Sequence, residues 1–175
     1  MKKYILKNSV ELIIRKAEEK DAEKFLEYFY KVGAETDFLG FGAEGPNMTV
    51  DECRKAYKNS TSKNFFLIAE IDNKICGSCS ISTNEKRIRL AHFGTLGIVV
   101  LKEYWGLGIG SILIEETIKL SKEAGLRKIN LETRVDNKKA ITLYKKFGFK
   151  EEGVITRGTF TNGEFFDILV MGLEI

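Results

Sequence analysis

The chain has 175 residues, 43% hydrophobic and 30% charged, with a single Pro, which is enough apolar material for one ordinary globular core. Its 28 basic and 25 acidic residues are interspersed and leave a formal charge of +3, so no basic arm or acidic tail points to nucleic acid as a partner. Met1 to Lys7 begins like a secretory leader, but Lys7 and Asn8 break the apolar run, and nothing approaches the roughly 20 apolar residues of a spanning helix. A cytoplasmic protein with no membrane partner is expected, and three cysteines without a secretory signal fit reduced thiols.

Leu12-Ile13-Ile14 reads as a first strand. Ala22, Phe25, Leu26, Phe29 and Val32 then recur at helical spacing up to Gly33, which is expected to stop the helix. Thr49 and Glu52 form a capping-box pattern that predicts a short helix to about Asn59. Residues 65–71 and 74–82 are rich in strand formers and flank Asp72-Asn73, a pair that tolerates the positive φ of a tight hairpin. Cys76-Gly77-Ser78-Cys79 lies inside the second of these runs, where a spacing of three predicts thiols on opposite faces. With only Cys53 and His92 left as further ligands, core packing accounts for the pair better than a redox dithiol or a zinc site, and no metal is expected.

A third run, 88–100, completes an antiparallel group. Gly106, Gly108 and Gly110 then open a helix carrying Ile112, Leu113, Thr117, Leu120 and Ala124, with Gly125 placed to end it. Residues 128–134 read as a strand and 137–147 as a helix, and the strands 149–160 and 164–173 meet at Asn162-Gly163, a strong hairpin signal. The order is β-α-α-β-β-β-α-β-α-β-β, an α/β chain with one domain over 1–175 and its core in 12–173.

Glycines between a strand and a helix N-terminus free backbone N–H groups for a phosphate, with the positive end of the helix dipole behind them. The plain alternative is a tight turn. A P-loop is excluded because no Gly-Lys-Ser/Thr follows, while Gly106-x-Gly108-x-x-Ser111 with Glu132 on the next strand approaches a dinucleotide fingerprint. Three antiparallel-type strands before the glycines argue against that reading, since such domains usually begin with their glycine turn.

In Asp136-Asn137-x-x-Ala140-Ile141-x-x-Tyr144-x-x-x-Gly148-Phe149, residues 137, 140, 141 and 144 share one helix face. Together with Val100-x-x-x-Tyr104-Trp105-Gly106-Leu107-Gly108-Ile109-Gly110, this resembles the GNAT superfamily of N-acetyltransferases over most of the chain, with Trp105 standing where Gln or Arg is usual. The segment Asn162 to Asp167 with Met171, and the segment Arg87 to His92, look like the bacterial branch acting on amino acids and peptides.

The resemblance implies a GNAT fold, a central mixed, mostly antiparallel sheet of about seven strands with four helices. It implies acetyl-CoA as cosubstrate, held by Ile98, Val99 and Val100 along the pantetheine arm, by the loop Trp105, Gly106, Leu107, Gly108, Ile109, Gly110 and Ser111, and by Asn137, Ala140 and Tyr144. Val99 or Val100 would supply an oxyanion N–H. Tyr144 would assist the departing thiolate, and His92, with an ordinary pKa of about 6.5, would collect the amine proton. Glu35, Asp37, Phe38 and Asp167 would border the acceptor, and Lys138, Lys139, Lys145 and Lys146 are either phosphate contacts or a solvated face. The expected reaction is direct acetyl transfer to a small amine, free amino acid or peptide N-terminus. A catalytically silent CoA-binding sensor is the alternative, and a homodimer is compatible with either.

Overall fold

The computed structural model describes residues 1–175. In chain order the elements are β1 (Lys2–Ile5), β2 (Glu11–Lys16), α1 (Ala22–Glu35), α2 (Val50–Lys58), β3 (Phe65–Ile71), β4 (Lys74–Thr83), β5 (Phe93–Val100), α3 (Ile109–Glu123), β6 (Lys128–Arg134), α4 (Lys138–Lys146), β7 (Lys150–Thr161) and β8 (Glu164–Glu174). The strands form one sheet in the order β1-β2-β3-β4-β5-β6-β8-β7, and every neighbouring pair is antiparallel except the parallel pair β5–β6.

Alternation along the strands divides the core in two. Leu12, Phe65, Leu67, Ile81, Ile129 and Leu131 pack with Leu113 and Ile114 of α3 and Tyr144 of α4. On the opposite face Ile68 and Ile75 pack with Phe25 and Tyr28 of α1 and Tyr57 of α2. The sheet is thus covered on both sides, and anything reaching its middle must pass between helices or through the sheet.

The eighth strand, β1, is the one the sequence hides. It is a short edge with Tyr4 alone half-buried, so it shows no alternation, and it is tied down by Lys2 and the Tyr4 hydroxyl bonding Glu116 of α3, each at 2.6 Å. The capping box holds as expected: Thr49 Oγ1 accepts from Glu52 N–H, and Glu52 accepts from Thr49 N–H at 2.8 Å. Asp72, Asn73, Asn162 and Gly163 all take positive φ in their hairpin turns, and Gly125 does so after α3.

Three expectations need correction. Gly33 does not stop α1, which runs on to Glu35; a Cβ at residue 33 would instead collide with the backbone of Gly42, so this glycine admits the loop 36–49 against the helix. The third run begins at Phe93 rather than residue 88, because 85–92 fold into successive turns. Cys76 and Cys79 face the same side, not opposite sides. The β3–β4 register passes from Ala69–Gly77 to Glu70–Ile75, so Cys76 is an extra residue that shifts the alternation by one. Both thiols are free and buried, and burial pushes each up to about 12, which keeps them protonated and inert.

Candidate active site

β5 and β6 pair over only three positions, Phe93–Lys128, Gly94–Ile129 and Thr95–Asn130. Beyond them β6 continues beside β8 and β5 beside β4, so the two strands separate and leave a wedge in the middle of the sheet. Leu101 N–H donates to Cys76 O at 3.0 Å, which fixes the parity of the β4–β5 ladder. Val99 and Ser78 form the next bonded pair, and the N–H and C=O groups of Ile98 and Val100 turn to the open edge. An oxyanion or an amide-bearing chain in the wedge therefore meets Ile98 and Val100; Val99 points its backbone toward β4, and its carbonyl also accepts the Tyr28 hydroxyl at 2.8 Å.

At the wide end of the wedge lies the glycine loop. Gly106 and Gly108 have φ of 80° and 92°, a region that only glycine enters without strain, and added Cβ atoms there would meet nothing within 4 Å. The N–H groups of Gly106, Leu107 and Gly108 have no acceptor in the chain, and the α3 ladder starts only with Ile112 N–H to Gly108 O at 3.1 Å. Ile109, Gly110 and Ser111 are thus the unpaired first turn of a helix. Six successive donors above open space at the positive end of a helix fit a pyrophosphate. Trp105 does more than pack: its Nε1 donates to Val100 O at 2.7 Å, and Lys139 Nζ stands 5.5 Å from its ring centre. Of the other lysines considered, Lys138 bonds Val135 O and Lys145 pairs with Glu151.

A cavity of about 340 Å³ occupies the wedge and passes through the sheet. On the α3–α4 side it is lined by Cys79, Leu96, Ile98, Thr133, Asn137 and Tyr144, and on the α1 side by Phe25, Phe29, Phe41, Phe66, Ser80 and Glu132, among others. Asn137 caps α4, accepting from Ala140 N–H and donating to Thr133 Oγ1 at 3.2 Å. Ala140 is half-buried one turn before Tyr144. The Tyr144 ring is only 7% exposed and its hydroxyl bonds no protein atom, so this phenol is aimed into the cavity rather than anchored to backbone. Burial, with a smaller contribution from Cys79, pushes its pKa far above the ordinary phenol value. It stays protonated, a hydrogen-bond donor.

The other expected residues fall elsewhere. His92 is exposed, stacks edge-on against Phe93, and stands about 20 Å before Ile98 along the strand, outside the cavity. Glu35 accepts from Lys102 N–H at 2.7 Å, Asp37 accepts from Asn162 Nδ2 at 3.1 Å, and Asp167 accepts from Arg157 N–H at 2.9 Å. These three carboxylates fasten loops and do not line the cavity; Phe38 does line it. Sequence reading missed Glu132 in this role. It is the single carboxylate in the cavity wall, and only the opening between β5 and β6 reveals its position. No cluster of three or more His, Cys, Asp or Glu side chains is placed to hold a metal ion, and no helix is long and apolar enough to cross a membrane.

Comparison with known proteins agrees with this geometry. The model of the acetyltransferase (GNAT) family matches residues 38–149. An N-alpha-acetyltransferase of Sulfurisphaera tokodaii is 36% identical over 107 residues, 57% of this chain and 64% of that protein. An L-amino acid N-acetyltransferase of Escherichia coli is 34% identical over 106 residues, 60% of this chain and 65% of its own length, so the chain spans just under two thirds of either relative. The crystal structure of a GNAT-family acetyltransferase from Streptococcus pneumoniae superposes with a TM-score of 0.90 at 35% identity, covering 94% of this chain and 99% of that one. The eight-stranded mixed sheet is thus a known architecture, and the chain belongs to the acetyltransferase (GNAT) family, whose cosubstrate is acetyl-CoA.

Proposed function

We propose that this chain is an N-acetyltransferase that moves the acetyl group of acetyl-CoA onto a primary amine by direct attack in a ternary complex. The observation that carries the reading is one cavity piercing the sheet, with an unbonded phenol on one face and a lone carboxylate on the other. Acetyl-CoA supplies an activated acyl group as a thioester. The N–H groups of residues 106–111 would hold its pyrophosphate, and the open edge at Ile98 and Val100 its pantetheine arm, with Val100 O shared with Trp105.

Within that frame each protein group has a distinct task. An alkylammonium must lose a proton before it attacks, and Glu132 lies on the acceptor side of the wedge to receive it directly or through one water. Ile98 N–H or Val100 N–H faces the position where negative charge develops on the carbonyl oxygen. Tyr144, kept neutral by burial, donates a hydrogen bond to the sulfur as it leaves. No covalent enzyme intermediate is needed, and the cavity wall carries no activated nucleophile, its only thiol being the protonated Cys79.

Thiol release from acetyl-CoA, followed across a panel of amines, amino acids and peptides, tests the reading. Acceptor-dependent release is expected. Tight CoA binding with no release for any acceptor would make the chain a silent CoA-binding module instead.

A further inference from the structure

The acceptor side of the cavity has a lopsided chemistry. Phe25, Phe29, Phe38, Phe41 and Phe66 form its wall with Leu39, and Glu132 is its only carboxylate; no Lys, Arg or His lines it. Arg134, two residues further along β6, does not line the cavity and spends three of its five N–H donors inside the protein. It donates to both carboxylate oxygens of Asp136, at 3.0 and 2.6 Å, and to Asp37 O at 3.2 Å, while its guanidinium lies 3.4 Å from the Phe166 ring centre and 5.0 Å from that of Phe38. At the α4 N-terminus, another source of anion-binding donors, two of the first three N–H groups are already taken: Lys138 N–H bonds Asp136 O, and Asn137 caps Ala140 N–H.

A carboxylate entering this space would give up water against the aromatic wall, find no cation among the lining residues and face Glu132. An ammonium would meet the opposite: a carboxylate to pair with and aromatic faces to lie against. Resting on the acetyl-transfer reading above, we propose that the acceptor is a primary amine on an apolar body of about aromatic size with no carboxylate on the α-carbon. A free amino acid, the substrate named for the Escherichia coli relative, is excluded by the charge of the wall rather than by its shape.

Phenylalanine and phenylalaninamide share one skeleton and differ in the group that decides the matter. Rates compared per unprotonated amine should favour the amide at least tenfold in kcat/KM, and a smaller ratio overturns the proposal. Glu132→Gln should slow both reactions and narrow the ratio, because it removes the repulsion felt by the acid; an unchanged ratio with slowed rates overturns the role of charge. Phenethylamine and a peptide beginning with Phe separate the two sources of such an amine, and the faster one names the source.

Thermal unfolding in saturating CoA keeps this selectivity separate from turnover. Phenylalaninamide should raise the melting temperature and phenylalanine at equal concentration should not. If no acceptor releases thiol yet the two ligands still differ in this way, the transfer reading fails and the recognition stands. Equal shifts overturn the recognition whatever the turnover.

Discussion

The two faces of the wedge are built on different principles. On the α3–α4 side the proposed contacts are backbone: six consecutive unpaired N–H groups, two left-handed glycines and the open edge of β5. On the α1 side the proposed contacts are side chains drawn from α1, the loop 36–49, β3, β4, β5 and β6, held in place by contacts far apart in sequence. Backbone recognition needs particular residues at fixed spacing, because only glycine frees the φ values and only a helix start frees the donors. Side-chain recognition needs only that certain surfaces meet. The first face can therefore vary little and the second can be rebuilt for another amine.

The largest expected effect belongs to the one side chain on the α3–α4 face that is aimed at the reacting atoms. Tyr144→Phe keeps the ring in its core contacts and removes a hydroxyl that bonds nothing in the protein. Roughly tenfold to a thousandfold should be lost from kcat, with CoA affinity and melting temperature almost unchanged. A marked loss of stability would mean that the hydroxyl has a structural partner after all. Because burial raises the phenol pKa well above its ordinary 10, its loss of a proton should put no alkaline limb on kcat below about pH 10. A limb near pH 8 or 9 that vanishes in Tyr144→Phe would contradict the buried, neutral phenol.

Gly108→Val tests the backbone face next. The residue sits at φ 92°, so any side chain is strained there by about 1 to 2 kcal/mol, in addition to projecting into the space where a phosphate would lie. A fall of roughly 2 to 8 °C in melting temperature is expected for a chain of this size. CoA affinity should drop further than that strain alone explains. Equal losses in stability and affinity would reduce the loop to a tight turn.

The same contrast explains what could be read from the sequence. Gly106, Gly108, Asn137 and Tyr144 were legible because a motif of fixed spacing encodes a fixed piece of backbone, as the capping box of Thr49 and Glu52 does for α2. Glu132 was not legible as an acceptor-side group. Its placement depends on β6 leaving β5 after Asn130, a feature of pairing that one strand's residues cannot express. The two cysteines misled for a related reason: a single bulged residue reverses every facing beyond it, and the one sign of the bulge in Ile75 to Ile81 is Gly77, beside the extra residue. Glu35, Asp37 and Asp167 drew attention as free acids, whereas each is committed to a loop.

Arg134→Lys addresses the side-chain face at smaller scale. The guanidinium joins the loop to the sheet by stacking on Phe38 and Phe166 and bonding Asp37 O, and a lysine keeps the charge but neither the plane nor the fork. With Phe38 freed, KM for the amine should rise several-fold while KM for acetyl-CoA stays within error. A parallel rise in both would show that the loop supports the whole wedge.

The smallest effect expected is that of Trp105→Gln, and its smallness is what gives it value. Trp105 occupies a position where the family usually has Gln or Arg, so the substitution restores an ordinary residue beside the phosphate loop. If affinity came from side chains, gaining a polar group there should tighten CoA binding tenfold or more, about 1.4 kcal/mol. The geometry argues otherwise: the proposed phosphate donors are the unpaired backbone N–H groups of 106–111, and the indole spends its single donor on Val100 O, an acceptor at the edge of the wedge. Replacing it frees that carbonyl for the pantetheine arm but removes a ring, 43% exposed, that stands under Lys139. These changes oppose one another, and the net shift in CoA affinity measured by calorimetry should stay within about threefold, below 0.7 kcal/mol. A tenfold change in either direction would place a real share of cofactor recognition in the side chain of residue 105, and the division between a backbone face and a side-chain face would no longer hold.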